Sequence, residues 1–206
     1  MHAKGLAATF SPNGGDEILQ NGLQTGDIML FQRRWYRYHL PEALCIGLYQ
    51  LWHKTPFDHC GMIVCDKYGA PHVFESTFFA GCKLRPFEPR VLLSQSQQII
   101  LIPLLPRADF ATPALQQLIA SSVHGAGRYK YHITSSLASS LVGLQPSPHL
   151  VAGAYAAMGI RSRNMSNACI LQRTAELSLA DASVLSPTVR GTRLHFSKQD
   201  VLVRTN

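Results

Sequence analysis

Apolar and polar positions along the chain fall into short runs separated by turn chemistry. Asp27-Ile28-Met29-Leu30-Phe31, directly after Gly26, reads as a short apolar strand opened by a turn. Between Glu42 and His53 the apolar residues Leu44, Leu48, Leu51 and Trp52 recur near the helical period, and Pro41 stands where a first helical turn tolerates it. Phe57 to Cys65 and Pro71 to Phe79 are strand-like and flank Asp66-Lys67-Tyr68-Gly69, which predicts an antiparallel hairpin. Phe87 to Gln95 reads as a short helix and Gln98 to Leu104 as a β-branched strand. Thr112 to His124 is predicted helical, with Thr112 as cap and Pro113 in the first position, ended by Gly125 and Gly127. Beyond a Gly-, Ser- and Pro-rich middle, Gln145-Pro146-Ser147-Pro148-His149 reads as an internal loop and Ser166 to Leu179 as a helix. A last strand is expected around Leu194 to Val203.

This order of elements predicts an α+β domain in which an antiparallel sheet packs against helices. The chain of 206 residues, 46% apolar and 15% charged, is long enough to bury a core. Residues 24–206 read as one domain, and residues 1–23, rich in Gly and polar groups, as a loosely packed leader. The leader lacks the apolar stretch of a signal peptide, and no run is long enough for a membrane span. Five cysteines without close pairing do not form a disulfide framework. Both features point to a reduced, cytoplasmic setting. The net charge of +7 is dispersed apart from Gln32-Arg33-Arg34-Trp35-Tyr36-Arg37, so no nucleic-acid stripe is present.

Candidate chemistry centres on three residues. If Ser166 caps its helix, Cys169 lies in the first turn, where free N–H groups favour a thiolate and could hold an oxyanion. A small buried side chain is the plainer alternative for a free cysteine. Alternation in the first hairpin strand puts Phe57, His59, Gly61 and Ile63 on one face, and Glu75 on the paired strand offers a carboxylate that could orient the His59 ring. A buried glutamate is costly unless paired, so His59 and Glu75 help to explain each other, although a backbone carbonyl could equally satisfy a lone histidine. His72, at the mouth of the hairpin, ranks second as orienting residue. His59, Cys60, Cys65 and Cys82 are zinc-capable types, but their spacing matches no closed site, and no metal or other cofactor is expected.

Gly26-Asp27-Ile28-Met29-Leu30-Phe31, Asp58-His59-Cys60-Gly61-Met62-Ile63-Val64, Val73-Phe74-Glu75-Ser76 and a late cysteine opening a helix together resemble the YiiX/YaeF-like permuted NlpC-type hydrolases. The lecithin retinol acyltransferase group is a more distant likeness. The resemblance implies a circularly permuted papain-like domain with His59 as base, Glu75 as orienting residue and Cys169 as nucleophile. Gly127-Arg128-Tyr129-Lys130-Tyr131 resembles a segment preceding the cysteine helix in that family, which implies a substrate-binding role for Tyr129 and Tyr131. The implied activity is a thiol hydrolase, a cysteine peptidase or amidase that cleaves an amide or peptide bond through a thioester. Two alternatives stand beside it. In one, the fold works on acyl lipids, with Trp35, Tyr36, Leu44, Leu48 and Trp52 as an apolar lip beside Arg33, Arg34 and Arg37 at a membrane surface; a core-facing helix would explain Leu44, Leu48 and Trp52 equally well. In the other, the scaffold is a catalytically silent binding module.

Overall fold

The computed structural model describes residues 22–37, 40–53, 55–77, 81–107, 110–124, 146–172, 175–179, 194–198 and 201–205. Most of the leader and both Tyr129 and Tyr131 lie outside these residues. Leu23, the last residue assigned to the leader, is buried against the sheet.

The fold is mixed α/β around a six-stranded antiparallel sheet. β1 (Ile28–Arg33) and β2 (His59–Cys65) are its central pair, with β3 (Pro71–Thr77) and β4 (Gly81–Pro86) beyond β2. β5 (Ser96–Ile102) and β10 (Val201–Thr205) extend it on the other side of β1. Two short ribbons stand apart: β6 (Leu104–Leu105) with β9 (His195–Phe196), and β7 (Ile160–Arg163) with β8 (Glu176–Leu179). A 3-10 turn at Trp35–Arg37 leads towards helix α1 (Leu40–His53); α2 (Phe87–Leu92), α3 (Pro113–His124), α4 (Pro146–Ala157) and α5 (Asn167–Leu171) complete the helices.

Both faces of the sheet are covered, which is why Ile28 to Phe31 is a continuous apolar run instead of an alternating one. Ile28, Leu30, Cys60, Met62 and Phe74 pack on one side against Leu115 of α3 and Leu150, Val151, Ala154 and Tyr155 of α4. Met29, Phe31, Ile63 and Val73 pack on the other against Phe87 and Val91 of α2. Complete burial of an aromatic or aliphatic side chain of this size contributes about 1.5–3 kcal/mol. Among the described residues no helix is long and apolar enough to cross a membrane.

The turn before β1 is fastened by a buried carboxylate. Asp27 Oδ1 accepts the Leu104 N–H at 2.9 Å and Asp27 Oδ2 the Gln24 N–H at 3.1 Å, while Arg107 donates to both oxygens at 2.7 Å. Burial raises the Asp27 carboxyl above its ordinary value in spite of these donors. The Gly-Asp pair that opens β1 thus joins the start of β1 to β6 and the residues after it.

Gly61, in the middle of β2, lies opposite Glu75. A Cβ there would stand 2.7 Å from Val73 Cγ1 and 3.3 Å from the Phe74 carbonyl oxygen. Both neighbours belong to a packed strand and cannot swing away. Gly61→Ala is therefore expected to lower stability by about 1–3 kcal/mol, read as a shift in urea midpoint at unchanged slope.

Two sequence expectations are corrected, one strand was not foreseen and one open choice is decided. β4, with the mixed run Gly-Cys-Lys-Leu-Arg-Pro, carries no period-2 signal of its own and forms by pairing with β3 from Thr77↔Gly81 to His72↔Pro86. The loop expected at Gln145 to His149 is instead the start of α4: Pro146 and Pro148 lack N–H groups that a first turn does not need. The helix expected from Ser166 to Leu179 stops at Leu171, and Glu176-Leu177-Ser178-Leu179 pairs with β7 as a strand. Among the described side chains of α1, Ala43 and Ile46 are buried and Leu44 and Leu48 are exposed, which fits the outward lip and not the core-facing stripe that the sequence also allowed.

Candidate active site

β2 begins and β3 ends at the same edge of the sheet, so His59 and Glu75 meet there although 16 residues separate them in the chain. His59 Nε2 donates to Glu75 Oε2 at 2.7 Å. Phe31, directly opposite His59 on β1, holds the imidazole from one side with ring centroids 5.3 Å apart. Glu75, not His72, is thus the carboxylate or ring set against His59. His72 turns back at the hairpin mouth, with Nδ1 3.0 Å from the Ala70 carbonyl oxygen.

Glu75 is fully buried and surrounded by cations. Arg90 of α2 donates Nε to Oε1 at 2.6 Å and Nη2 to Oε2 at 2.9 Å, a bidentate pair, and Arg85 of β4 places Nε 3.4 Å from Oε1. The Arg90 guanidinium also lies over the Phe31 ring, 4.4 Å from its centroid. Burial alone would push the Glu75 carboxyl up, but the hydrogen bond from His59 and the charge of Arg90 outweigh it and hold the group well below the usual carboxylate range. Glu75 is therefore an anion at neutral pH. Burial lowers the His59 pKa below its ordinary value of 6.5, and the partial compensation from Glu75 does not reverse this. At neutral pH the ring is uncharged, with its proton on Nε2 facing Glu75 and a lone pair on Nδ1.

That lone pair faces Ser147. Ser147 Oγ, in the first turn of α4, lies 3.0 Å from His59 Nδ1 and donates its proton there. The Ser76 carbonyl oxygen, 3.3 Å from the same hydroxyl, is the weaker competing acceptor. Ser147, His59 and Glu75 form one hydrogen-bonded chain, and all three side chains are buried. α4 has 12 residues, enough for its aligned peptide dipoles to favour negative charge at the N-terminus. Pro146 and Pro148 contribute no N–H, so the N–H groups this first turn can offer are those of Ser147 and His149.

Cys169, the residue expected beside His59, is carried by α5, which has only five residues. Ser166 does cap this turn, with its Oγ accepting the Cys169 N–H at 3.2 Å, and the Cys169 side chain is half-buried. The bonds of the His59 ring, however, go to Glu75 and Ser147. Cys60 points to the opposite face from His59, into the α3/α4 core, and burial pushes its thiol up. No group of three or more potential metal ligands occurs among the described residues.

Sequence reasoning found His59 and Glu75 and passed over Ser147. The available signal was Pro146 at a first helical position ahead of an apolar segment, Leu150 to Met158, which together mark a helix start. No protein-family model matches the chain, and no curated protein matches it.

Proposed function

We propose that the protein is an acyl-transferring hydrolase in which Ser147 is the nucleophile, His59 the base and Glu75 the orienting residue. The observation that carries this reading is the continuous chain from Ser147 Oγ through His59 Nδ1 and Nε2 to the Glu75 carboxylate. Ser147 Oγ attacks a substrate carbonyl as its proton passes to His59 Nδ1. The imidazolium that forms is stabilised by Glu75, and it returns the proton to the leaving group as the carbonyl re-forms. Water, deprotonated by the same ring, then releases the acyl group from Ser147. The N–H groups of Ser147 and His149 sit where the helix dipole supports a developing oxyanion. An amide or peptide bond is the first choice of substrate, with acyl lipid as the alternative.

The chain order supports a circularly permuted papain-like topology for the domain: base, orienting residue, then nucleophile at the head of a helix packed on the sheet. In this reading a hydroxyl on α4 takes the part that the family resemblance gives to a thiol. In this reading Cys169 is not the nucleophile.

The test is labelling with a fluorophosphonate, which needs no knowledge of the substrate. A single adduct on Ser147, lost in His59→Gln and kept in Cys169→Ala, is the expected result. An adduct that maps elsewhere overturns the assignment. One observation favours a second reading: with His59, Glu75 and Ser147 all buried, the chain would also serve as a structural knot in a silent binding module. A folded protein that takes no label at any serine would establish that module instead.

A further inference from the structure

We propose that α1 and the 3-10 turn before it form a membrane-docking surface for anionic lipid bilayers. Leu40, Leu44, Leu48 and Leu51 are 86%, 59%, 42% and 77% exposed. At 100° per residue, which follows from 3.6 residues per turn, they fall within an arc of roughly 80°. The helix instead spends Ala43 and Ile46 on its contact with the rest of the fold. The apolar ridge is therefore turned outward, the reverse of what an ordinary surface helix does. Exposed leucines scattered singly need no explanation, but four in one row on one helix do.

Three features select lipid as the occupant. Tyr36, 62% exposed, and Arg37 lie in the 3-10 turn that packs against α1, so an amphipathic ring and a cation stand on the element next to the helix. From Arg34 to Lys54 three basic residues stand against one carboxylate, Glu42, in a chain that is basic throughout. Both tryptophans of the chain, Trp35 and Trp52, and three of its seven tyrosines fall in the same stretch. Leucine, aromatic residues and basic charge on one short segment is the composition of helices that lie in the plane of a bilayer interface.

This surface does not rest on the hydrolase reading, and its test is separate. Flotation with vesicles of phosphatidylcholine alone and with added phosphatidylglycerol reads the partitioning directly. Because both tryptophans lie in the segment, intrinsic emission reports insertion at the same time. The expected result is binding to the anionic vesicles at low salt with a blue shift of emission. L44Q/L48Q/L51Q should lower partitioning at least about tenfold, since binding scales with buried apolar area. Its urea midpoint should hold, because these side chains are exposed and Gln and Leu have similar helix propensities. Arg37→Glu should weaken binding to anionic vesicles by about fivefold or more and leave neutral vesicles unaffected. Failure of the parent protein to bind anionic vesicles, or equal binding by the leucine variant, overturns the proposal. So does a parent that is dimeric and loses its dimer in the leucine variant without ever binding vesicles; the ridge is then an interface between two copies of the chain.

Discussion

Glu75→Ala is expected to cost about 3–5 kcal/mol of folding stability, the range for removing one partner of a buried ion pair. The substitution leaves Arg90, largely buried, facing a cavity, and takes from His59 the acceptor of its Nε2 proton. Arg85, more exposed, can turn to solvent and adds little to the loss. Glu75→Gln should cost less, because its amide oxygen still accepts from Arg90. Urea melts of the three proteins check this ranking, and equal midpoints would show that the cluster contributes nothing to the fold.

The same residues give stability a pH dependence with a definite sign. The folded state holds Glu75 below its ordinary carboxyl value of 4.5, so its contribution is present above that pH and is lost as pH falls further. His59 is also lowered, from 6.5, so below that pH the unfolded chain takes up the proton first and stability falls with it. From neutral pH downward the two effects add, with His59 acting first. The difference between the parent and His59→Gln isolates the histidine: the variant should lose less stability between about pH 7 and pH 5.

The second large effect is on chemistry. Ser147→Cys places a thiol where the hydroxyl meets His59 Nδ1, and a thiolate beside a histidine at a helix N-terminus has its pKa lowered to about 3.5–7.5. Iodoacetamide should therefore modify the introduced thiol at a pH where an ordinary one, with a pKa of about 8.5, is mostly protonated. The advantage should be roughly tenfold or more over the other cysteines near pH 6, and Ser147→Cys combined with His59→Gln should lose it. Cys60 makes a good internal reference, since burial pushes its thiol in the other direction. Equal rates at position 147 with and without the histidine would show that no proton passes between them.

Much of the sheet was legible because its strands carry their own signals. The hairpin of β2 and β3 is announced by Asp66-Lys67-Tyr68-Gly69, where Asp66 Oδ1 accepts the N–H groups of Tyr68 and Ala70. The cap of α3 was equally plain, and Thr112 Oγ1 accepts the Leu115 N–H at 3.1 Å. β4 was not legible, because an edge strand built on Lys, Arg and Pro is fixed by its neighbour instead of by its own pattern. β8 was missed for a related reason, as its four residues become a strand only by pairing with β7.

In the site, alternation put His59 on one face and the hairpin put Glu75 on the paired strand, and the register, with Glu75 opposite Gly61, brings the two together. The third member was obscured by two prolines. Pro146 and Pro148 read as loop residues, yet both sit in the first turn of α4, the one part of a helix that tolerates them. Cys169 carries the plainer sequence signal, and its Ser166 cap is present although its helix is a single short turn. The leucines of α1 allowed two readings in the sequence, an apolar lip or a core-facing stripe, and the structure turns Leu44 and Leu48 outward. Periodicity identifies the apolar face of a helix but does not say whether that face meets the core or solvent.

The most direct measurement of the proposed mechanism is to trap the acyl-enzyme. The protein is mixed with an activated ester such as p-nitrophenyl butyrate, quenched in acid during the first turnover and mapped by peptide mass spectrometry. The account predicts a butyryl group on Ser147, absent from His59→Gln and undiminished in Cys169→Ala. A butyryl group on Cys169, or a folded protein that carries none, would contradict it.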